Sequence, residues 1–372
     1  MRLLFLSGTP TGGSAVSTRQ LAERLAARGH EVGLLVQQRT RARAGLVAPP
    51  RGRLVNSVIT APGRVWRALK RAVTTQPRRV GCRNGVEEWT GAAPEQVLSS
   101  LCAAWRPDVV VVSSVHRRAW IAIHSSMTRA RIPVVLYVRE EATFEHIPIA
   151  QLRPDLTVTN SGAHRTRAEE LGVQAYTIPS LIEVDQCNEE TTREVALFVN
   201  PLPSRGLAVA VALARERPDV RFAFQLSWPL RRRDHRALRR WMRGRPNIVL
   251  RTWEPQCSRV YRDARMLVLP YRVDQRPRVV VEAQWNGIPV LATDLPAHRE
   301  AVGSGGLFVA ADAPLTEWVE AFGTLWDDGS IYERDCASAR AHARREDQDP
   351  ARITGRFESL MEQVLRGAGA PR

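Results

Sequence analysis

Hydrophobic positions along the chain fall into short, nearly continuous runs separated by amphipathic stretches. That is the pattern of buried parallel strands alternating with helices. Arg2–Leu6 reads as a strand, Ala15–Arg28 as a helix stopped at Gly29-His30, and Glu31–Gln37 as the next strand. The chain thus opens with one strand–helix–strand unit. Pro94–Trp105 predicts a helix and Pro107–Val112 a strand; Ile132–Val138, Leu156–Asn160 and Tyr176–Pro179 complete a first sheet. Gln186–Arg193 is short, polar and charged, as a linker is. The pattern then restarts: strand Glu194–Val199, loop Asn200–Gly206, helix Leu207–Arg217 and strand Val220–Leu226. A second start after a polar linker predicts a second α/β domain. Further strands are expected at Asn247–Arg251, Met266–Pro270 and Leu307–Ala310, and helices at Pro314–Asp327, Ser330–Arg345 and Pro350–Arg366. Thr40–Ala93 is basic, turn-rich and irregular. Only Arg64–Val73 stands out there, with Val65, Leu69 and Val73 on one helical face and arginines elsewhere.

One stretch, Tyr271–Gly306, concentrates the candidate chemistry. It places Asp274, Pro277, Arg278 and Glu282 in one turn-to-helix passage, followed by the apolar run Ile288–Ala292, then Asp294, Glu300 and a glycine-rich turn. If Pro277 opens a helix, that helix's free N–H groups can hold a phosphate. Glu282, one to two turns in, can accept both hydroxyls of a ribose.

The stretch resembles the donor-binding motif of the retaining GT-B glycosyltransferases of group 1 (the GT4 family). That motif has a Glu, seven residues, then Glu-Ala, a Gly-x-Pro-Val strand, and a downstream Glu-x-Val close to glycines. Glu282-Ala283, Gly287-Ile288-Pro289-Val290 and Glu300-Ala301-Val302 with Gly303, Gly305 and Gly306 match it. Asp274 stands where the family has its first Glu. The resemblance implies an α/β chain of GT-B fold, two Rossmann-like domains facing each other across a cleft. Residues 1–185 would bind the acceptor and 193–347 the nucleotide sugar. A last helix within 348–372 would cross back onto the first domain.

The resemblance also implies roles. Asp274 would be catalytic, holding the hydroxyls of the transferred sugar, and Glu282 would hold the ribose. Arg205-Gly206 matches the family's Lys-Gly pair on the donor diphosphate. The family's earlier Arg is Asn200 here, which carries no charge, so Arg278 or an arginine of 231–245 would substitute. Pro277 and the helix it starts would complete the phosphate site, and the Gly12-Gly13 loop would lie across the cleft from it. Read alone, those two glycines make a plain turn, and Arg205 an ordinary arginine at a helix start. Trp253 would stack on the base, or else is core. Many relatives carry a His at the position of Ser113. Here His116 comes three residues later, either as the catalytic or sugar-binding histidine or as a solvated loop residue. Ser113, Glu140 and Glu141 are the candidate acceptor contacts, with Glu145 beside them; these glutamates could equally be a solvated helix face. No obligatory metal or cofactor is implied beyond a UDP-, GDP- or dTDP-sugar donor.

Composition narrows the alternatives. The 372 residues carry a net charge of +16, and Lys70 is the single lysine, so the positive charge is almost wholly arginine. Such a balance suits nucleic acid, an anionic membrane or anionic substrates. No zinc-finger or RNA-binding motif is present, so nucleic acid is not expected as a partner. The basic 64–73 helix offers peripheral membrane contact, or packs on the first sheet; Arg231–Arg245 reads as a solvated face. The five cysteines are odd in number and contain no CxxC. With no signal-peptide pattern or long apolar run, they are read as unpaired, in a cytoplasmic protein without a structural metal. The function expected is sugar transfer to a hydroxyl of a small, aminocyclitol-like natural product. The alternatives are polysaccharide or lipid-linked glycan synthesis, a GT-B epimerase or phosphorylase, and a non-enzymatic basic protein that binds membranes or nucleic acid.

Overall fold

The computed structural model describes residues 1–8, 12–37, 76–91, 93–183, 185, 187, 190–228, 230 and 232–368. The first domain is built on eight strands: β1 (Arg2–Ser7), β2 (Glu31–Gln37), β3 (Arg78–Arg83), β4 (Val86–Gly91), β5 (Val109–Ser113), β6 (Val134–Val138), β7 (Leu156–Thr159) and β8 (Ala175–Thr177). Their spatial order is β3-β4-β2-β1-β5-β6-β7-β8. All neighbours run parallel except β3 and β4. Helices α1 (Gly13–Ala27), α2 (Pro94–Trp105), α3 (Arg117–Ala130), α4 (Ala142–His146) and α5 (Gly162–Glu170) lie between the strands.

The second domain holds β9 (Val195–Val199), β10 (Arg221–Gln225), β11 (Ile248–Arg251), β12 (Ala264–Leu269), β13 (Val290–Thr293) and β14 (Gly306–Val309), in the order β11-β10-β9-β12-β13-β14. Its helices are α6 (Leu207–Glu216), α7 (Arg232–Trp241), α8 (Cys257–Tyr261), α9 (Arg278–Trp285), α10 (Pro296–Val302), α11 (Leu315–Asp327) and α12 (Gly329–Ala343). Strands buried on both faces explain the unbroken apolar runs: Val109–Val112 and Val195–Val199 are all buried. In each sheet the order reverses beside the first strand, at β1/β5 and at β9/β12. Loops at the carboxyl ends of strands at such a reversal form the ligand crevice of open α/β sheets.

Helix α13 (Pro350–Ala368) follows a 3-10 turn at Glu346–Gln348 and packs on the first domain. Phe357 stacks on Phe5 at 5.9 Å and on Tyr137 at 6.2 Å between ring centroids. Ile353, Phe357, Met361 and Val364 are buried in the first domain's core.

Two expectations are corrected. The region read as irregular contains β3 and β4, joined at Asn84-Gly85, both with positive φ. All six β3 residues are exposed, so no apolar alternation marked that strand; β4 is anchored by buried Val86, Trp89 and Gly91. The cysteines are not all unpaired either: Cys187 and Cys257, 70 residues apart, form a disulfide with Cα atoms 4.7 Å apart. Only the tertiary fold brings the interdomain segment against the start of α8, so spacing along the chain held no sign of it. The basic stretch at 64–73 lies outside the described residues.

Candidate active site

The loop after β9 enters the site through a 3-10 turn, Pro203–Arg205. Gly206 follows with φ 76°, and a Cβ there would overlap the carbonyl oxygen of Pro270. A glycine is therefore needed for this loop to lie against the end of β12. Arg205 is held over the ring of Tyr271, its guanidinium carbon 4.8 Å from the centroid. Its Nη1 is buried and has no hydrogen-bond partner among the described residues. The Tyr271 hydroxyl donates to Val199 O at 2.8 Å, and burial pushes its pKa up to about 12, so it stays a neutral platform.

More buried polar atoms without hydrogen-bond partners among the described residues surround the same strand ends: Asn200 Oδ1, Thr293 Oγ1 and His298 Nε2. Asn200 sits at φ 57° where the chain leaves β9. His298 is fully buried, its Nδ1 bonding to Thr293 O at 2.9 Å. A carbonyl can only accept, so Nδ1 carries the proton. Burial lowers the His298 pKa, against the backbone of Thr293 and Val273 and the nearby Asp274, which raise it. Such unpaired buried groups are costly, and they gather at the β9/β12 reversal.

Asp274 lies just beyond. Its Oδ1 accepts the amide of Ala297 at 2.9 Å and so caps α10. Pro277 is the N-cap of α9, with β-region backbone angles. Arg278 begins that helix, but its guanidinium turns toward the first domain, donating to Leu181 O at 2.7 Å and Gln20 Oε1 at 2.8 Å. It also bonds Glu282 Oε1 at 3.0 Å. Glu282 Oε2 accepts from Tyr261 at 2.8 Å. Burial, followed by the neighbouring Glu282, pushes the Tyr261 hydroxyl well above its ordinary range. Gly13 faces Arg278, and a Cβ there would come within 3.2 Å of Arg278 Cδ. Gly12, with φ 98°, is the N-cap of α1, so both turn glycines border the domain seam.

The other expected residues are scattered. Ser113 is 3% exposed within β5, its carbonyl bonded to Gly8. His116 caps α3, its Nδ1 accepting the amide of Ala119 at 3.2 Å. It lines a shallow hollow of about 390 Å³ with Arg117, Arg118, Glu145 and His146. Glu140 is exposed. Glu141 is half-buried, and burial raises its carboxyl pKa. Trp253 is 49% exposed just past β11, so it is not core.

Several seam residues escaped sequence reasoning. His164 is fully buried; its Nδ1 bonds Asn160 Oδ1 at 2.9 Å, and its Nε2 faces Asp274 O at 3.4 Å and Glu141 Oε2 at 3.7 Å. It thus joins a candidate acceptor contact to the loop of Asp274. Arg276, buried to 5% exposure, pairs with Glu300 at 3.2 Å. Burial lowers its pKa, against the pull of Glu300 and Asp347. Glu300 Oε2 accepts the amide of Gly162, at the start of α5 in the other domain, at 2.7 Å. The signal for His164 was weak: one histidine three residues after the N-cap Ser161. As to metals, the ligating atoms of Cys187, Cys257 and Glu282 lie within 4.8 Å of one another, but the two sulfurs are bonded together and are not free ligands.

The chain is similar to known proteins. Residues 207–328, which carry Arg278, Glu282 and Asp274, match the family model described as Glycosyl transferases group 1. The whole chain is similar to solved structures. HepE of Anabaena in complex with UDP-glucose shares 16% identity, with 98% of this chain and 100% of that one covered and a TM-score of 0.71. Sucrose-phosphate synthase from Thermosynechococcus elongatus shares 12%, over 99% and 100%, with a TM-score of 0.73. The catalytic domain of starch synthase IV from Arabidopsis thaliana, bound to ADP and acarbose, shares 10%, over 98% and 99%, with a TM-score of 0.66. No curated protein matches the chain significantly. Residues 207–328 therefore carry a group 1 glycosyl transferase segment, and the chain as a whole has the GT-B fold of these structures.

Proposed function

We propose that the chain transfers a sugar, with retention of configuration, from a nucleoside-diphosphate sugar to a hydroxyl of a small polyhydroxylated or amino-bearing acceptor. The observation that carries the donor half is the buried, unpartnered Nη1 of Arg205 above Tyr271, at the β9/β12 reversal. A diphosphate oxygen satisfies that nitrogen, and a guanidinium beside the departing diphosphate stabilises the charge that develops there. The α9 N-terminus adds N–H groups to the same anion. Glu282 holds the ribose once Arg278 yields it, with Trp253 exposed for the base. Asp274, at the mouth of α10, orients the transferred sugar; it is one methylene shorter than the family's glutamate. His298 Nε2 is a further acceptor for a sugar hydroxyl.

The acceptor half rests on Glu141, half-buried beside His164 and near Asp274. A carboxylate there suits a hydroxyl or an ammonium group. No helix among the described residues is long and apolar enough to cross a membrane. We read the enzyme as cytoplasmic, with membrane contact left to the basic stretch 64–73. HepE binds UDP-glucose in its solved complex, which makes that sugar the first donor to try.

The test is a thermal-shift panel of UDP, GDP, dTDP and ADP, each with its glucose ester. One nucleotide should raise the melting temperature of the wild-type protein by linkage, and Arg205→Ala should abolish the shift. Wild-type affinity in Arg205→Ala would remove that arginine from the donor site. No response to any nucleotide sugar would remove the reading itself.

A further inference from the structure

The disulfide lies where the donor reading needs open space. Cys187 belongs to the segment between β8 and β9 that joins the domains and is 2% exposed; Cys257 begins α8 and is half-buried. Both sulfurs and a carboxylate oxygen of Glu282 lie within 4.8 Å of one another. Ile182 and Val281 pack with Cys187 into a small apolar cluster against Cys257. Tyr261, at the other end of the five-residue α8, donates to Glu282. One short helix therefore carries both the disulfide and the tyrosine that holds Glu282. With Tyr261 and Arg278 on its two oxygens and the disulfide beside them, the Glu282 side chain is only 14% exposed. The other three cysteines are unpaired.

We infer that the Cys187–Cys257 disulfide is a thiol-exchange site, and that its reduction by a dithiol uncovers Glu282 to the ribose of the donor. The inference rests on the assignment of Glu282 to the ribose. The dithiol's thiolate attacks Sγ of Cys257, the more accessible sulfur, forming a mixed disulfide and releasing Cys187, which takes a proton. The second thiol of the reagent then attacks the mixed disulfide and releases Cys257. The protein gains two electrons and two protons, and the reagent leaves as its cyclic disulfide. Among the described residues, Cys187 then packs on the second domain through Val281, with Ile182 of its own segment beside it. Ile182 and Cys187 can draw back from Val281 and Cys257, and Glu282 gains the open side that a ribose requires.

Dithiothreitol is the probe reductant and diamide the probe oxidant, with alkylation and mass spectrometry to count free thiols. Nucleotide affinity is measured in both states with UDP, GDP, dTDP and ADP. The reduced protein should bind its nucleotide at least about tenfold more tightly than the oxidised protein, a difference well outside measurement error. Cys257→Ser should match the reduced wild-type protein under both conditions. Equal affinity in the two states, tighter binding by the oxidised protein, or full alkylation after diamide would each overturn the inference. If no nucleotide binds in either state, the donor reading fails instead, and hydrogen exchange decides the remainder. Faster exchange at 279–286 on reduction supports the exchange site; unchanged exchange there overturns it. Wild-type protein in its two redox states suffices if the serine variant does not fold.

Discussion

Arg278 and Glu282 neutralise each other one helical turn apart, with Nε of the arginine 3.0 Å from Oε1 of the glutamate. Their side chains are only 8% and 14% exposed. The sequence suggests that one grips phosphate and the other ribose. In the structure each occupies the other, and Arg278 also reaches Gln20 and Leu181 in the first domain. Donor binding on this reading exchanges an internal ion pair for bonds to the nucleotide, and the exchange loosens a contact between the domains.

A double-mutant cycle measures that pair. Arg278→Gln alone leaves Glu282 poorly exposed and short of its cation, at a cost of about 3–5 kcal/mol, the usual penalty for breaking a buried pair from one side. Adding Glu282→Gln should recover part of this, with a coupling of about 1–3 kcal/mol. Urea unfolding of the four proteins reads it directly. Strictly additive losses would mean that the pair contributes no specific interaction.

Arg205 presents the opposite case. Its Nη1 has no partner among the described residues, so the residue adds little to the fold beyond its stacking on Tyr271. Replacing it with Gln should weaken nucleotide diphosphate binding by about 10- to 100-fold, the equivalent of one charge-assisted hydrogen bond. The apo melting temperature should change little. Calorimetric titration checks the first figure and a thermal melt the second. A large drop in apo stability with unchanged affinity would make Arg205 a structural residue.

The difference between these two arginines shows how far the sequence could be read. The two α/β halves were legible because Val109–Val112 and Val195–Val199 are buried on both faces and therefore uninterrupted by polar residues. The turn into α9 was legible because Pro277, Glu282 and Gly287-Ile288-Pro289 follow one another within a single local passage, and Pro277 does cap that helix. Which cation would be free and which paired was not, because Arg278 finds Leu181 and Gln20 across 97 and 258 residues. His164, Arg276 and the disulfide are hidden for the same reason, since each acts through a partner from another part of the fold. The Asn84-Gly85 turn is the exception. That dipeptide is a hairpin signal in itself, and it was obscured by the polar, exposed β3 before it.

Glu300 spans the domain seam, accepting the Gly162 amide with one oxygen and pairing with Arg276 through the other. Glu300→Ala should leave the Gly162 amide at the start of α5 without its acceptor, at about 1–3 kcal/mol, and leave Arg276 with Asn160 O at 3.4 Å and Asp347 at 3.9 Å. The expected consequence is a wider mean separation of the domains, seen as a larger radius of gyration in X-ray scattering. A scattering curve identical to the wild-type one would show that other contacts set the closed arrangement.

The last helix offers a pH test of its docking. Burial disfavours the charged form of Glu358, but hydrogen bonds from His30 and Arg28 outweigh it and hold the carboxyl below its ordinary range. His30 lies 2.6 Å away and Arg28 2.6 Å away, both in the turn that ends α1. A carboxyl with a depressed pKa in the folded state binds fewer protons folded than unfolded. Its contribution is therefore fully present above the unfolded value, about 4.3, and is lost as pH falls through the lower folded value. Glu358→Gln should then destabilise the protein at pH 7 and lose that disadvantage progressively below about pH 4.3. Phe357→Ala, which removes the ring between Phe5 and Tyr137, should cost about 3–5 kcal/mol with no such pH dependence. Urea midpoints from pH 3 to 7 separate the two. A Glu358→Gln penalty that stays constant to pH 3 would show that the carboxylate's charge is not what fastens α13 to the first domain.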